Sequence, residues 1–311
     1  MHFEHLRALT AIVDEGTFEA AADFLGISAS AVSQRIKALE SSVGQVVVRR
    51  TVPCAPTAAG AALLRMARQV QILEAETWHA LGDGVLAGTV TPVAVNADSL
   101  ATWFVPVLAE AAGWADSALE LHVEDQDHSS ELLRRGDVIG AVTSDPAPVN
   151  GCRAEPLGSM RYVPVATPAL HRRFSSDAGV DWAAMPVLRF NAKDDLQHRL
   201  LRARGVEQVP PTHAVPSSEG FLAAVRAGLG WGMVPELQLG TELADGSLVL
   251  LEEHAHHDVV LSWQRWTLAS ERLDRLSAAV RSAGRHRLRP ARTRAELTVR
   301  RPPPGRSSRR S

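Results

Sequence analysis

The sequence runs to 311 residues, 45% hydrophobic and 22% charged, a globular composition too long for one ordinary domain. Its formal net charge of -2 conceals a polarity, because residues 281–311 hold eleven Arg against one acid, Glu296, and the preceding chain carries the balancing excess of acid. No window approaches the roughly 20 apolar residues of a membrane helix, and the opening "MHFEHLRALTAIVDEG" has no apolar run before a small-residue cleavage site. The two cysteines, Cys54 and Cys152, lack metal-ligand spacing and suit a reducing compartment, so a cytoplasmic protein without membrane contact is expected.

In chain order, Phe3, Leu6, Leu9 and Val13 recur at steps of three and four, the stripe of an amphipathic helix that Gly16 ends. Thr17 is the expected cap of a second helix bearing Phe18, Ala21, Ala22 and Leu25, with Gly26 in the following turn. Ser28 should cap a third helix with Val32, Ile36, Leu39 and Val43 on its core face and Ser30, Ser33, Gln34 and Lys37 on the opposite side. "QVVVRRTVPCAP" reads as a short two-stranded wing carrying Arg49 and Arg50. From Thr57 a long helix is expected, with Ala59, Leu63, Met66, Val70, Leu73, Thr77 and Ala80 forming a heptad seam that calls for a partner helix and hence a dimer. The glycines of "GDGVLAGT" mark a hinge.

After Val90 short apolar strands alternate with helical stretches, which predicts βαβ units, a mainly parallel sheet and two similar α/β lobes with a crevice between them. "WTLASERLDRLSAAVRSA", 266–283, reads as a closing helix. The expected division is 1–58 for the N-terminal three-helix and wing unit, 59–87 for linker helix and hinge, 88–283 for the two-lobed domain with its second lobe at about 162–265, and 284–311 for an Arg- and Pro-rich disordered tail.

A helix, a Gly-containing turn and a second helix with an exposed hydrogen-bonding face is helix-turn-helix design, in which the second helix enters the major groove of double-stranded DNA. Gln34 suits the edge of adenine, Ser30 and Ser33 suit bases or phosphates, Lys37 suits guanine or phosphate, and Arg49 and Arg50 supply charge beside the backbone. A small helical packing unit with a solvated polar face gives the same two-helix pattern.

Residues 1 to about 85, through "FEAAADFLGISASAVSQRIKALESSVGQVVVRR" and "PTAAG", resemble the DNA-binding region of LysR-type transcriptional regulators, with Val47 and Val48 where that family usually has Leu-Phe. "VNADSLATWF", "VEDQDHSSELLRRGDVIGAVTS", "GCRAEPLGSMRYVPVAT", "DDLQHRLL" and "SSEGFLAAVRAGLGWGMVPE" are similar to the branch that regulates lysine and arginine export. The resemblance implies an α/β fold: an N-terminal winged helix-turn-helix, a long linker helix and a two-lobed effector domain like a periplasmic binding protein. It also implies a homodimer assembling to a homotetramer on an interrupted palindromic operator, a basic amino acid as effector, and RNA polymerase as a further partner, with no cofactor and no catalysis.

Within the crevice so implied, Ser99 and Leu100 begin a helix whose backbone N–H groups, with the Ser99 hydroxyl, suit a ligand carboxylate. Asp98 either binds an amino group or caps that helix. Asp125 continues the inward phase of Leu119, Leu121 and Val123 at a strand's end and suits the ligand's distal cation. Its plain alternative is a solvated loop acid. Thr143 and Ser144 end the next strand, while Ser217, Ser218 and Glu219 precede a helix of the second lobe, Glu219 having a capping role as its alternative. "GLGWG" reads as a turn and "HAHH", 254–257, as a solvated loop rather than a metal site. Two other functions remain open: a relative sensing a different small molecule, and a cytoplasmic protein that binds or metabolises amino acids. The lack of any nucleophile or paired-carboxylate grouping speaks against an enzyme.

Overall fold

The computed structural model describes residues 2–81, 90–115, 117–123, 129–145, 147–177 and 179–290. The N-terminal unit comprises α1 (Phe3–Glu15), α2 (Phe18–Leu25), α3 (Ala29–Val43), β1 (Val48–Arg49) and β2 (Ala55–Pro56), followed by the long α4 (Ala58–Ala80). Its caps follow the sequence signals: the Thr17 and Ser28 hydroxyls accept from the Ala20 and Ala31 N–H groups, and Gly16, Gly26 and Gly44 end their helices in the left-handed region. Leu9, Ile12, Val32, Ile36, Leu39 and Val47 form its buried core.

α4 packs on this core through a face the heptad reading did not single out. Leu64 and Ala67 are buried, and a Cβ at Gly60 would lie 1.9 Å from the Val47 carbonyl oxygen, so only glycine permits this approach of helix and wing. The seam residues Met66 and Leu73 are exposed, Leu63 and Val70 half-buried.

The remaining elements are β3 (Val90–Val95), α5 (Ala97–Ala101), α6 (Val105–Ala111), β4 (Ala118–Val123), α7 (Ser129–Arg135), β5 (Gly140–Thr143), β6 (Cys152–Ala166), α8 (Pro168–Arg173), β7 (Ser175–Ser176), β8 (Gly179–Val180), β9 (Val187–Arg189), α9 (Leu196–Ala203), β10 (Thr212–Ala214), α10 (Ser218–Arg226), β11 (Gly232–Pro235), α11 (Glu242–Asp245), β12 (Val249–Leu250), β13 (His257–Trp266) and α12 (Glu271–Arg287). A 3-10 turn at Glu236–Gln238 follows β11.

The main sheet has the order β11-β6-β13-β5-β3-β4, with β12 also on β6. It is mixed, not mainly parallel as expected. Among the described residues of this sheet β3 with β4 and β3 with β5 pair parallel, because α5 with α6, and α7, supply the crossovers that parallel neighbours require, and β9 with β10 pair parallel in a separate two-stranded sheet. After β5 the chain enters the long β6 without a helix, and β6 runs antiparallel to β13 from Cys152–Trp266 to Tyr162–His257. One end of this pair joins β5 of the first lobe and the other joins β11 and β12 of the second. The register breaks between Leu261 and Ser262, opposite Gly158 and Pro156.

The closing helix also departs from expectation. Trp266 still belongs to β13, Ser270 caps α12, and the helix runs on to Arg287. Ser159 and Arg289 then exchange backbone hydrogen bonds, so the first residues assigned to the tail belong to the fold.

α4 is fastened to the effector domain by Arg65 donating to the Arg134 carbonyl at 3.1 Å, by Arg68 donating to Asp137 at 2.7 Å and by Glu76 accepting from Ser270.

Candidate functional site

The face of α3 opposite Val32 and Ile36 presents exposed Ser28, Ser30, Gln34 and Lys37, with Ser33 half-buried beside them. Ser28 has two tasks, since its oxygen caps the helix and lies 2.9 Å from the Ser30 hydroxyl. On the wing Arg49 and Arg50 are exposed; Arg49 donates to the Pro56 carbonyl, and Arg50 lies over the Phe18 ring at 4.7 Å, a stacking that fixes its charge beside α2. The N-terminal unit thus exposes short polar groups on α3 and two cations on the wing.

The second feature is a crevice of about 600 Å3 between the lobes, built from the ends of β3, β4, β6, β9, β11 and β13 with α9 and α10. Asp98, in the first turn of α5, accepts from the Tyr162 hydroxyl at 2.8 Å and from the Ser218 hydroxyl at 2.6 Å. Gln238 Nε2 in turn donates to the Ser218 hydroxyl at 3.1 Å. A carboxylate of the first lobe is therefore held by a long shared strand and by the second lobe. The Tyr162 and Ser218 donors are neutral hydroxyls, which orient the carboxylate without themselves supplying a countercharge.

The other acids of the crevice have structural work. Asp194 accepts from the backbone N–H groups of Phe190 and Leu196 at 2.9 and 3.1 Å. Asp195 pairs with Arg199 and Arg202 at 3.1 and 2.8 Å. Burial, the largest influence on Asp195, works upward, yet the two arginines hold its carboxyl below the ordinary value. Asp258 takes both donors of the Arg161 fork, at 2.7 and 2.8 Å, and those bonds hold its carboxyl low as well. His257 opens β13 opposite Tyr162, and burial, aided by the charge of Arg199, lowers its pKa below the ordinary value. At neutral pH it is an uncharged imidazole lining the crevice.

Residues 83–285 match the LysR substrate binding domain, and residues 3–61 match the bacterial regulatory helix-turn-helix protein, lysR family. The lysine export transcriptional regulatory protein LysG of Corynebacterium efficiens is 51% identical over 287 residues, 92% of this chain and 98% of that one. The chain belongs to the LysR family. Full-length LysG from Corynebacterium glutamicum with bound effector Arg superposes with a TM-score of 0.81 at 48% identity, covering 93% of this chain and all of the other. ArgP from Mycobacterium tuberculosis gives 0.84 at 47% identity, covering 92% and 98%.

This LysR-family chain brings together some of the residues picked out from sequence and disperses others. Asp98, Ser144 and Ser218 line the crevice. Ser99 does not reach it: the side chain is fully buried and its hydroxyl accepts from Trp103 Nε1 at 2.9 Å. The Leu100 N–H is spent on the Asn96 carbonyl and its side chain packs into the core, so the Ser99 hydroxyl and the Leu100 N–H of the expected carboxylate cradle are both engaged within the fold. Thr143 is buried, accepting from the Asp145 N–H. Glu219 is exposed on the first turn of α10, where Ser217 is the cap, and it stands outside the crevice lining. Asp125 lies outside the described residues.

Tyr162, Gln197, Gln238 and His257 were missed. His257 is a correction to the loop reading of "HAHH": His254 and His256 are exposed in the loop, but the third histidine of the run is in a strand and lines the site. Its signal was the β-branched apolar run Val259–Leu261 that follows it directly, with Trp263 beyond.

Proposed function

We propose that this chain is a DNA-binding transcriptional regulator that responds to a basic amino acid, lysine, arginine or histidine, and controls a gene for basic amino acid export. The crevice carboxylate Asp98, oriented by Tyr162 and Ser218 from two other elements, carries this reading: it is a fixed anion in a cavity large enough for one amino acid. The likeness to LysG structures, one of them holding Arg, supports the same ligand class.

The recognition helix α3 reads base edges through Ser30, Ser33, Gln34 and Lys37, while Arg49 and Arg50 meet phosphates. The exposed seam residues Met66 and Leu73 of α4 meet the same helix of a second copy, and two such dimers form a tetramer on an interrupted palindrome. Asp125, one residue among those following β4, remains a proposed second anion for the ligand. The protein works in the cytoplasm, where its operator and RNA polymerase are, and performs no catalysis.

Calorimetric titration of the full chain with lysine, arginine and histidine tests the sensing, and a gel shift on DNA upstream of a basic amino acid exporter gene tests the target. Saturable binding of at least one of the three, together with a shift that this ligand alters, is the expected outcome. Binding of none of them would remove the effector reading; no preference for that DNA over random duplex would remove the target.

A further inference from the structure

Two buried amides of the crevice are unexplained by the hydrogen bonds of the fold. Gln197, the second residue of α9, is 1% exposed and lines the crevice, yet neither its Oε1 nor its Nε2 meets a partner among the described residues. Asn96, at the cap position of α5 in the other lobe, is 6% exposed and lines the same crevice. Its side chain does not cap the helix, and its Oδ1 is likewise unpartnered among the described residues. Buried polar atoms nearly always find partners, because leaving them without costs the lost hydration in full. Two such residues, one on each side of one cavity, point to a ligand that completes them.

We propose that Asn96 and Gln197 form an amide clamp for the α-ammonium and α-carboxylate of a free amino acid, so that the crevice selects the amino-acid head and not the distal cation alone. The proposal rests on the reading of the crevice as an amino acid site.

The orphaned atoms choose the group. Asn96 Oδ1 and Gln197 Oε1 are acceptors; Gln197 Nε2 is a donor. The distal ammonium of lysine or the guanidinium of arginine only donates, and would leave Nε2 unpaired. A carboxylate without an amine would satisfy Nε2 and leave both oxygens unpaired. The head of an amino acid supplies N–H donors and carboxylate acceptors one carbon apart, and so meets all three. In this arrangement the ammonium donates to the two amide oxygens, the carboxylate accepts from Nε2, and Asp98 takes the distal cation. Because Asn96 precedes α5 and Gln197 sits on α9, the head also ties one lobe to the other.

The test is calorimetric titration of the full chain with L-arginine and with agmatine, which keeps the guanidinium and lacks the carboxylate. The parent is expected to favour arginine by roughly 10- to 100-fold, the scale of the one charge-assisted hydrogen bond that agmatine cannot make. Gln197→Leu should weaken arginine by roughly 10- to 100-fold and agmatine much less. Gln197→Glu, which keeps an acceptor and removes the donor, should also weaken arginine while agmatine binds as well as before or better. Thermal melting establishes that each variant is folded. A folded variant of either kind with the parent's arginine affinity and the parent's preference overturns the clamp while leaving the amino acid reading intact. A parent that binds the two compounds equally overturns it without recourse to any variant. A parent that binds neither arginine nor lysine overturns the clamp and the effector reading together.

Discussion

Arg68 Nη1 donates to Asp137 Oδ1 across 2.7 Å, joining the linker helix to the effector domain. The same guanidinium reaches Asp14 of α1 through Nη2 at 2.6 Å. One largely buried side chain thus touches all three parts of the chain: the DNA-binding unit, the long helix and the first lobe. Arg68→Met keeps the aliphatic stem and removes both bonds. It is expected to leave effector affinity unchanged while reducing the effect of that ligand on operator affinity by about 0.5–2 kcal/mol, the range for residues that couple two sites. Gel shifts with and without ligand, beside calorimetry, measure the two quantities separately; an undiminished ligand effect would remove Arg68 from the coupling.

Gln34 is exposed on α3 while its neighbours Val32 and Ile36 are fully buried. Gln34→Ala should therefore cost about 1–3 kcal/mol of specific operator binding, the worth of a bidentate base contact, with the melting temperature unchanged. Equal affinity of parent and variant for operator DNA would show that Gln34 reads no base.

Asp98→Asn retains a carbonyl acceptor for one of the Tyr162 and Ser218 hydroxyls but removes the charge. Affinity for lysine and arginine should fall by ~2–5 kcal/mol, because a ligand cation buried without its partner bears the full desolvation cost. DNA binding in the absence of ligand should persist. A folded variant with the parent's affinity would place the cation elsewhere, with Asp125 the next candidate.

Leu73, 41% exposed on α4, lies on the seam and away from the buried Leu64–Ala67 face. Leu73→Glu should fold as the parent does yet sediment as a monomer, since a heptad core position does not accept opposed charges. Retention of the parent's mass would sink the seam as the dimer contact.

His257 gives a pH dependence of known sign. Its folded pKa lies below the ordinary histidine value of 6.5, first through burial and then through Arg199. The unfolded chain takes up this proton as pH falls through about 6.5 while the folded chain still declines it, so stability decreases from there downward until the folded pKa is passed. Urea unfolding at pH 7.5 and pH 5.5 should show a loss in the parent that is smaller in His257→Asn. An equal loss in both would assign the effect to other groups.

Much of the N-terminal unit is legible in sequence because its signals are local. Thr17, Ser28 and the glycines ending three helices act within four residues of themselves, and each does in the fold what its position suggests. The crevice is different. Asp98 could be read from its place at a strand-to-helix junction, but its partners Tyr162 and Ser218 are 64 and 120 residues away in the chain. Their meeting depends on the register of β6 against β13 and on which lobe α10 joins, neither of which is written in any local pattern. The Ser99 hydroxyl shows the same limit, since a tryptophan four residues on draws it into the core. The parallel sheet was overestimated because strand alternation reports that strands exist and not which way the long ones return.

The break in register between Leu261 and Ser262 falls midway along the two strands that carry both lobes, beside Gly158, whose φ of 144° and contact with Arg289 exclude any side chain. Mechanically, an interrupted ladder is expected to bend before an intact one, as in a hydrogen-bonded beam loaded at both ends. Opening and closing of the lobes should concentrate there as a twist of the two strands, with the ladders on either side moving as rigid plates. The C-terminal end of α12 is hydrogen-bonded through Arg289 to Ser159 at that same section, so its attachment is a brake on the range of the motion, and loosening it would widen the swing without touching a residue of the crevice.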